Sequence, residues 1–203
     1  MVTDREPGPR PRGRPRSAVI DQAVIDAALA LLAEQGYEAM SIEGIAVRAR
    51  VGRTAIYRRW PDKESLAAAA LRTLGADVAV PDTGSVRADL SMLARTFVQL
   101  TNESSVGTVI GRLVGAALTS PLLMEIFYEG VVAPHRRAVR IAVNRGIVRG
   151  ELRPDLDVEL LIDQLVGPIL YRLMFTGPGH VPEDLPDRIL DSLLPGVAAP
   201  LGR

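Results

Sequence analysis

The sequence contains no cysteine. Structural disulfides, thiolate metal sites and cysteine nucleophiles are therefore excluded, and the composition is compatible with a reducing compartment. Histidine is scarce as well. His135 and His180 lie far apart and neither stands in a metal-ligand spacing such as H-x-x-x-H, so no zinc site is expected and both are read as structural or surface residues. No uninterrupted apolar run reaches membrane-spanning length, because Asp163 and Arg172 break the longest candidate. The Arg- and Pro-rich start has no apolar stretch behind it and is not a secretory signal. A cytoplasmic protein without membrane contact, cofactor or metal is the expectation.

Nearly half of the 203 residues are apolar, enough to bury a substantial core. Formal net charge is zero, yet the charges are unevenly placed. Arg10, Arg12, Arg14 and Arg16 crowd the first residues. Arg48, Arg50, Arg53, Arg58, Arg59 and Lys63 crowd a second stretch in which Asp62 is the only acid. Two basic patches in the first third are an electrostatic footprint for nucleic acid that the net charge conceals.

Residues 1–16 carry four prolines interleaved with arginine and glycine, a composition that buries nothing and predicts an extended, flexible arm. From residue 17 the pattern turns helical. Ile20, Val24, Ala27, Ala28 and Leu31 share one helix face, which Gly36 terminates. Ser41 is a good N-cap, with Met40 and Ile45 in the positions of a hydrophobic staple, so a second short helix starts there. Arg50, Val51 and Gly52 form a tight connection to a third helix predicted over 53–60, which Pro61 must end. Asp62 then caps a fourth helix carrying Leu66, Ala70 and Leu74. Beyond the loop at Pro81 to Gly84 only helical patterns follow. They are predicted over 86–101, 106–119, 121–149 with a disturbance at Pro134, 157–176 with a kink at Gly167 and Pro168, and 183–194. The expected fold is all-α: an arm (1–16), a three-helix DNA-binding module with its connecting helix (17–80) and a helical bundle (81–203).

The segment VGRTAIYRRWPDKESL, residues 51–66, together with the preceding MSIEGIAVRAR, resembles the helix-turn-helix signature of TetR family repressors. The resemblance covers residues 18–75 in detail. On a helical wheel Ile56 and Trp60 face inward, while Thr54 and Arg58 face outward with Ala55 beside them. The outward residues are the candidate base readers: Thr54 by its hydroxyl, Ala55 by close approach to a thymine methyl, and Arg53 or Arg58 by forking onto a guanine edge. Tyr57, Arg59 and Lys63 suit phosphates on the two sides of the groove. Ser41 is placed like the family residue that anchors a phosphate at a helix N-terminus. In the arm, Arg14 and Arg16 of the GRPR segment resemble minor-groove readers, with a merely solvated tail as the alternative. The chain departs from the family pattern at Arg50, where glycine is common, and at Gly52, where a small hydroxyl residue is common. A left-handed Arg50 costs on the order of 1 kcal/mol.

For the second half, the resemblance implies a small-molecule effector and a homodimer formed through the last two helices. Leu161, Leu165, Ile169 and Leu173 form one apolar stripe and Ile189 with Leu193 another, readable as interface or as plain core. The bulky residues Phe97, Leu100, Leu113, Met124, Phe127, Tyr171 and Phe175 are the candidate walls of a pocket for a mostly apolar effector, Tyr171 being a polar handle. The run Arg136, Arg137, Arg140, Arg145 and Arg149 reads as a solvated helix face. A hydrolase built on Glu125, Glu129 and Asp163 lacks any nucleophile, base and orienting partner at motif spacing, so no catalytic residue is expected. An architectural DNA-binding protein without effector is the remaining rival. The combined expectation is a repressor that leaves a palindromic operator when its effector binds.

Overall fold

The computed structural model describes residues 16–76, 78–118 and 120–199. Among the described residues there are ten α-helices and no strand, only a bridge between Leu152 and Ala198. The all-α expectation holds. The arm, with Arg14, lies outside the described residues, and Arg16 enters as the first residue of α1.

The first four helices are α1 (Arg16–Ala39), α2 (Ile42–Ala49), α3 (Arg53–Tyr57) and α4 (Lys63–Gly75). Gly36 leaves helical geometry at φ 78°, a value that favours glycine, so α1 breaks where the sequence predicted and resumes for one more turn. Ser41 caps α2 by accepting the Gly44 amide at 3.1 Å. Asp62 and Ser65 form a reciprocal capping box that starts α4. Helix α3 is shorter than the predicted 53–60, because Arg58 and Arg59 close it as a turn ahead of Pro61.

The remainder comprises α5 (Val86–Asn102), α6 (Ser104–Ala117), α7 (Pro121–Phe127), α8 (Ala133–Val148), α9 (Val158–Thr176) and α10 (Leu185–Val197). Helices α7 and α8 are joined end to end by a π-turn, Tyr128–Val132. Its cause is Pro134, which has no amide for the carbonyl of Gly130 and whose ring would collide with that carbonyl in a regular helix; one extra residue in the turn moves the carbonyl aside. The disturbance predicted at Pro134 thus falls on the turn before it. Helix α9 instead runs continuously through Gly167 and Pro168.

One apolar cluster runs through the described chain. Helix α1 packs on α2, α4 and α6, and α4 packs on the π-turn, so the helices around α3 rest on the larger bundle along two contacts. The second is backbone on backbone: a Cβ added to Gly75 would lie 2.3 Å from the Gly130 carbonyl oxygen.

Candidate nucleic-acid interface

Arg50 adopts the left-handed conformation, φ 55° and ψ 43°, and so turns the chain sharply between α2 and α3. Its amide still reaches the carbonyls of Ala46 and Val47, which closes α2 and offsets part of the strain. Ile56 is fully buried and Trp60 packs against the core, which fixes the rotation of α3. Thr54, Tyr57 and Arg58 are left exposed along its outer side, with Ala55 half-buried between them. The wheel reading and the structure agree on this face.

The basic cluster is less free than its sequence suggests. Arg48 makes a two-pronged contact with Glu34, and Arg53 meets Glu43 at 3.2 Å. Arg59 Nε lies 2.5 Å from Asp21 Oδ1, a contact of charges rather than an aligned hydrogen bond, since the same oxygen makes no hydrogen bond. Lys63 donates to the carbonyls of Tyr37 and Glu38 at 3.1 and 3.3 Å and sits over the Tyr37 ring. Among the described residues Arg50 and Arg58 are the two cations of this cluster without an ion pair or hydrogen-bonded partner for the side chain. Arg59 and Lys63 therefore brace α3 and α4 against α1, whereas Arg58 projects a complete guanidinium into solvent. The Arg53–Glu43 pair is exposed on both sides, so exchanging the carboxylate for a base edge costs little. The Ser41 hydroxyl accepts from Gly44 but keeps its own proton to donate.

A cavity of about 260 Å³ lies in the bundle between α5, the α7–π-turn–α8 helix and α9. Its walls are almost wholly apolar, with His135, Arg136 and Asp163 as the polar exceptions. Of the seven residues expected to line a pocket, Phe97 and Phe127 do so. Leu100, Leu113, Met124, Tyr171 and Phe175 do not. Bulk does not report helical phase: α9 turns Leu165, Ile169 and Leu173 inward, which leaves Tyr171 and Phe175 on its outer side at 64% and 74% exposure, stacked 4.6 Å apart. The stripe Leu161, Leu165, Ile169 and Leu173 is accordingly core, and the uncovered apolar face of α9 is Leu160, Tyr171, Met174 and Phe175. Ile189 is likewise buried and Leu193 half-buried.

His135, read from the sequence as a structural or surface residue, borders the cavity and packs edge-on against Phe97. The arginine run is not simply solvated: Arg136 bridges Asp163 and Glu159 across to α9, and Arg140 joins the same Glu159. These acids lie about twenty residues or more downstream, so the pairing had no local signal in the sequence. The Arg136 and Arg140 guanidiniums hold the Glu159 carboxyl below its ordinary pKa. No cluster of metal-ligating side chains occurs among the described residues, and no helix among them is long and apolar enough to cross a membrane.

A capped short helix, a left-handed turn and a second helix that buries one face while offering Thr54 and Arg58 on the other define a helix-turn-helix DNA-binding protein. Residues 24–70 match the family model for bacterial regulatory proteins of the tetR family, and residues 80–193 match that of the tetracyclin repressor-like C-terminal domain. The chain belongs to the TetR family of DNA-binding transcriptional regulators. YdeS of Bacillus subtilis (strain 168), an uncharacterized HTH-type transcriptional regulator, is 37% identical over 167 residues, 82% of this chain and 84% of its own. The DNA-binding transcriptional repressor TetR of Mycobacteroides abscessus is 41% identical over 81 residues, 39% of this chain and 40% of its own. The crystal structure of the TetR family regulator SCO0332 superimposes with a TM-score of 0.69 at 30% identity, covering 88% of this chain and 98% of that one.

Proposed function

We propose that this regulator is a repressor that binds a palindromic operator as a homodimer and releases it when a mostly apolar small molecule enters the bundle cavity. It acts in the bacterial cytoplasm, on the chromosome. The observation that carries the release step is that one wall of the cavity, formed by Phe127, Val131 and Val132, belongs to the helix whose π-turn packs on α4. Helix α4 leads directly out of the DNA-facing unit, so an occupant that shifts the π-turn changes the position of α3. The effector must prefer the DNA-incompetent arrangement, because equal affinity for both states shifts nothing. The repressor role is supported by the Mycobacteroides abscessus relative that bears that name.

The DNA contacts follow the free groups. Arg58 and Thr54 read bases, with Ala55 against a thymine methyl and Arg53 joining once it leaves Glu43. Tyr57 and the Ser41 hydroxyl hold phosphates. Arg59 and Lys63 add positive potential and fix α3 and α4 in place. Arg14 and Arg16 remain candidates for the adjoining minor groove.

Dimerisation is assigned to the last two helices, with Leu160, Tyr171, Met174 and Phe175 of α9 as the buried centre. A patch of this kind on a monomer's surface is a typical interface signature. Tyr171→Lys with Phe175→Lys is expected to give a folded monomer by analytical ultracentrifugation at micromolar concentration, with operator binding lost. A dimer that survives both changes places the interface elsewhere.

The release step is tested by screening apolar small molecules for those that free a fluorescent operator, then repeating the assay with Ala94→Trp, which fills the cavity from α5. The altered protein is expected to bind operator and to ignore an effector that acts on the wild type. Undiminished release would show that the cavity is not the effector site.

A further inference from the structure

We propose that the cavity takes a neutral, compact ring molecule that donates one hydrogen bond, a phenol or an alcohol, to Nε2 of His135. This rests on the reading of the cavity as the effector site and gives that site its ligand chemistry.

The imidazole geometry sets the direction of the bond. Nδ1 of His135 lies 2.8 Å from the carbonyl oxygen of Val131, one turn back on the same helix. A carbonyl only accepts, so Nδ1 carries the proton. In the neutral ring Nε2 then bears a lone pair, and it points away from the helix backbone that holds Nδ1. Among the described residues nothing donates to it. The neutral form is also the favoured one, since burial depresses the His135 pKa. His135 is among the residues that line the cavity, so its Nε2 is an acceptor open to an occupant, and a ligand hydroxyl that meets it gains a bond that an apolar occupant does not make.

The charges at the rim argue against an anionic ligand. Arg136 faces the cavity, but both arms of its guanidinium are taken, one by Asp163 and one by Glu159, at 2.5 Å each. Arg140 shares Glu159, so two cations meet two carboxylates. A ligand carboxylate would have to displace Asp163 and leave it beside the site uncompensated. The volume sets the size: an apolar cavity of roughly 150 Å³ holds benzene, and about 260 Å³ has room for a fused or paired ring system.

The test uses the full-length protein and three matched probes, 2-naphthol, naphthalene and 2-naphthoate, titrated calorimetrically near neutral pH. The expected order is 2-naphthol about tenfold tighter than naphthalene, with 2-naphthoate the weakest. His135→Phe is expected to bind 2-naphthol and naphthalene alike, and His135→Gln, which keeps an acceptor, to recover part of the preference. In the unaltered protein, nitrogen NMR of the imidazole is expected to show 2-naphthol shifting Nε2 and leaving Nδ1 in place, a readout independent of how the variants fold. Equal affinity for 2-naphthol and naphthalene, tightest binding of 2-naphthoate, or an undisturbed Nε2 overturns the inference while leaving the cavity a ligand site. Failure of all three probes to bind overturns the inference together with the reading of the cavity.

Discussion

Arg58→Ala is expected to lower affinity for the cognate operator by roughly 30-fold to 10⁴-fold while leaving binding to unrelated DNA within about tenfold. The size follows from the contact. A guanidinium that forks onto a base edge discriminates by about 1–3 kcal/mol, and a two-fold dimer makes the contact twice, giving about 2–6 kcal/mol in all. Unrelated DNA loses only a general electrostatic contribution, because Arg58 there meets phosphate. The structure makes Arg58 the better candidate than Arg53, whose guanidinium already has Glu43, and than Arg59, which is held by Asp21. Thr54→Ala should relax preference at a neighbouring base and cost less. Arg59→Ala and Lys63→Ala should behave differently, weakening all sequences alike as α3 and α4 lose their braces to α1. Operator titrations at several salt concentrations separate the classes. An Arg58→Ala protein with unchanged discrimination between cognate and unrelated DNA would refute its role as a base reader.

Gly75→Ala is expected to cost roughly 3 kcal/mol of stability, at the upper end of what overpacking a filled site costs. For a chain of this length that is a fall in melting temperature of about 6–12 °C. The added Cβ would lie 2.3 Å from the carbonyl oxygen of Gly130 and 2.9 Å from the ring of Pro134. Neither can swing away as the end of a flexible side chain does: one is backbone and the other a ring fixed in a helix. Relief requires α4 and the π-turn to separate, and this is the contact assigned to carrying the effector signal. Operator affinity should therefore fall along with stability. Gly111→Ala is the control, since nothing lies within 4 Å of its added Cβ. In a helix interior that change is expected to stabilise by up to about 1 kcal/mol. Differential scanning calorimetry compares the two. A neutral Gly75→Ala would mean that α4 and the π-turn slide freely, contrary to the coupling proposed.

The sequence announced the DNA-facing helices because their signals are local. Gly36, Ser41, Pro61 and Asp62 act on their own neighbours, and the inward positions of Ile56 and Trp60 follow from spacing within a single short helix. The left-handed turn could be read only as a cost at Arg50, and the structure accepts that cost. What stayed hidden depends on distant partners. The acids that neutralise the basic cluster, Asp21, Glu34 and Glu43, come from α1 and α2, so the segment around residues 48–63 looked far more exposed in its charge than it is. The cavity walls were hidden for a similar reason, since a list of bulky residues says nothing of which side of a helix faces inward. Tyr171 and Phe175 were therefore grouped with Phe97 and Phe127 although they lie on opposite sides of the bundle wall. His135 carried no spacing signal at all, because its importance comes from the Phe97 ring and the open space beside it.

Operator recognition by this regulator rests on two copies of α3 that read a symmetric site. Selection of bound sequences from a random pool of duplex DNA by the purified full-length chain, with the stoichiometry of the selected complex measured in the same samples, tests it most directly. The expected result is an imperfect palindrome with half-sites about one helical turn apart, bound by an even number of chains. An asymmetric consensus occupied by a single chain, or no enrichment over the starting pool, would contradict it.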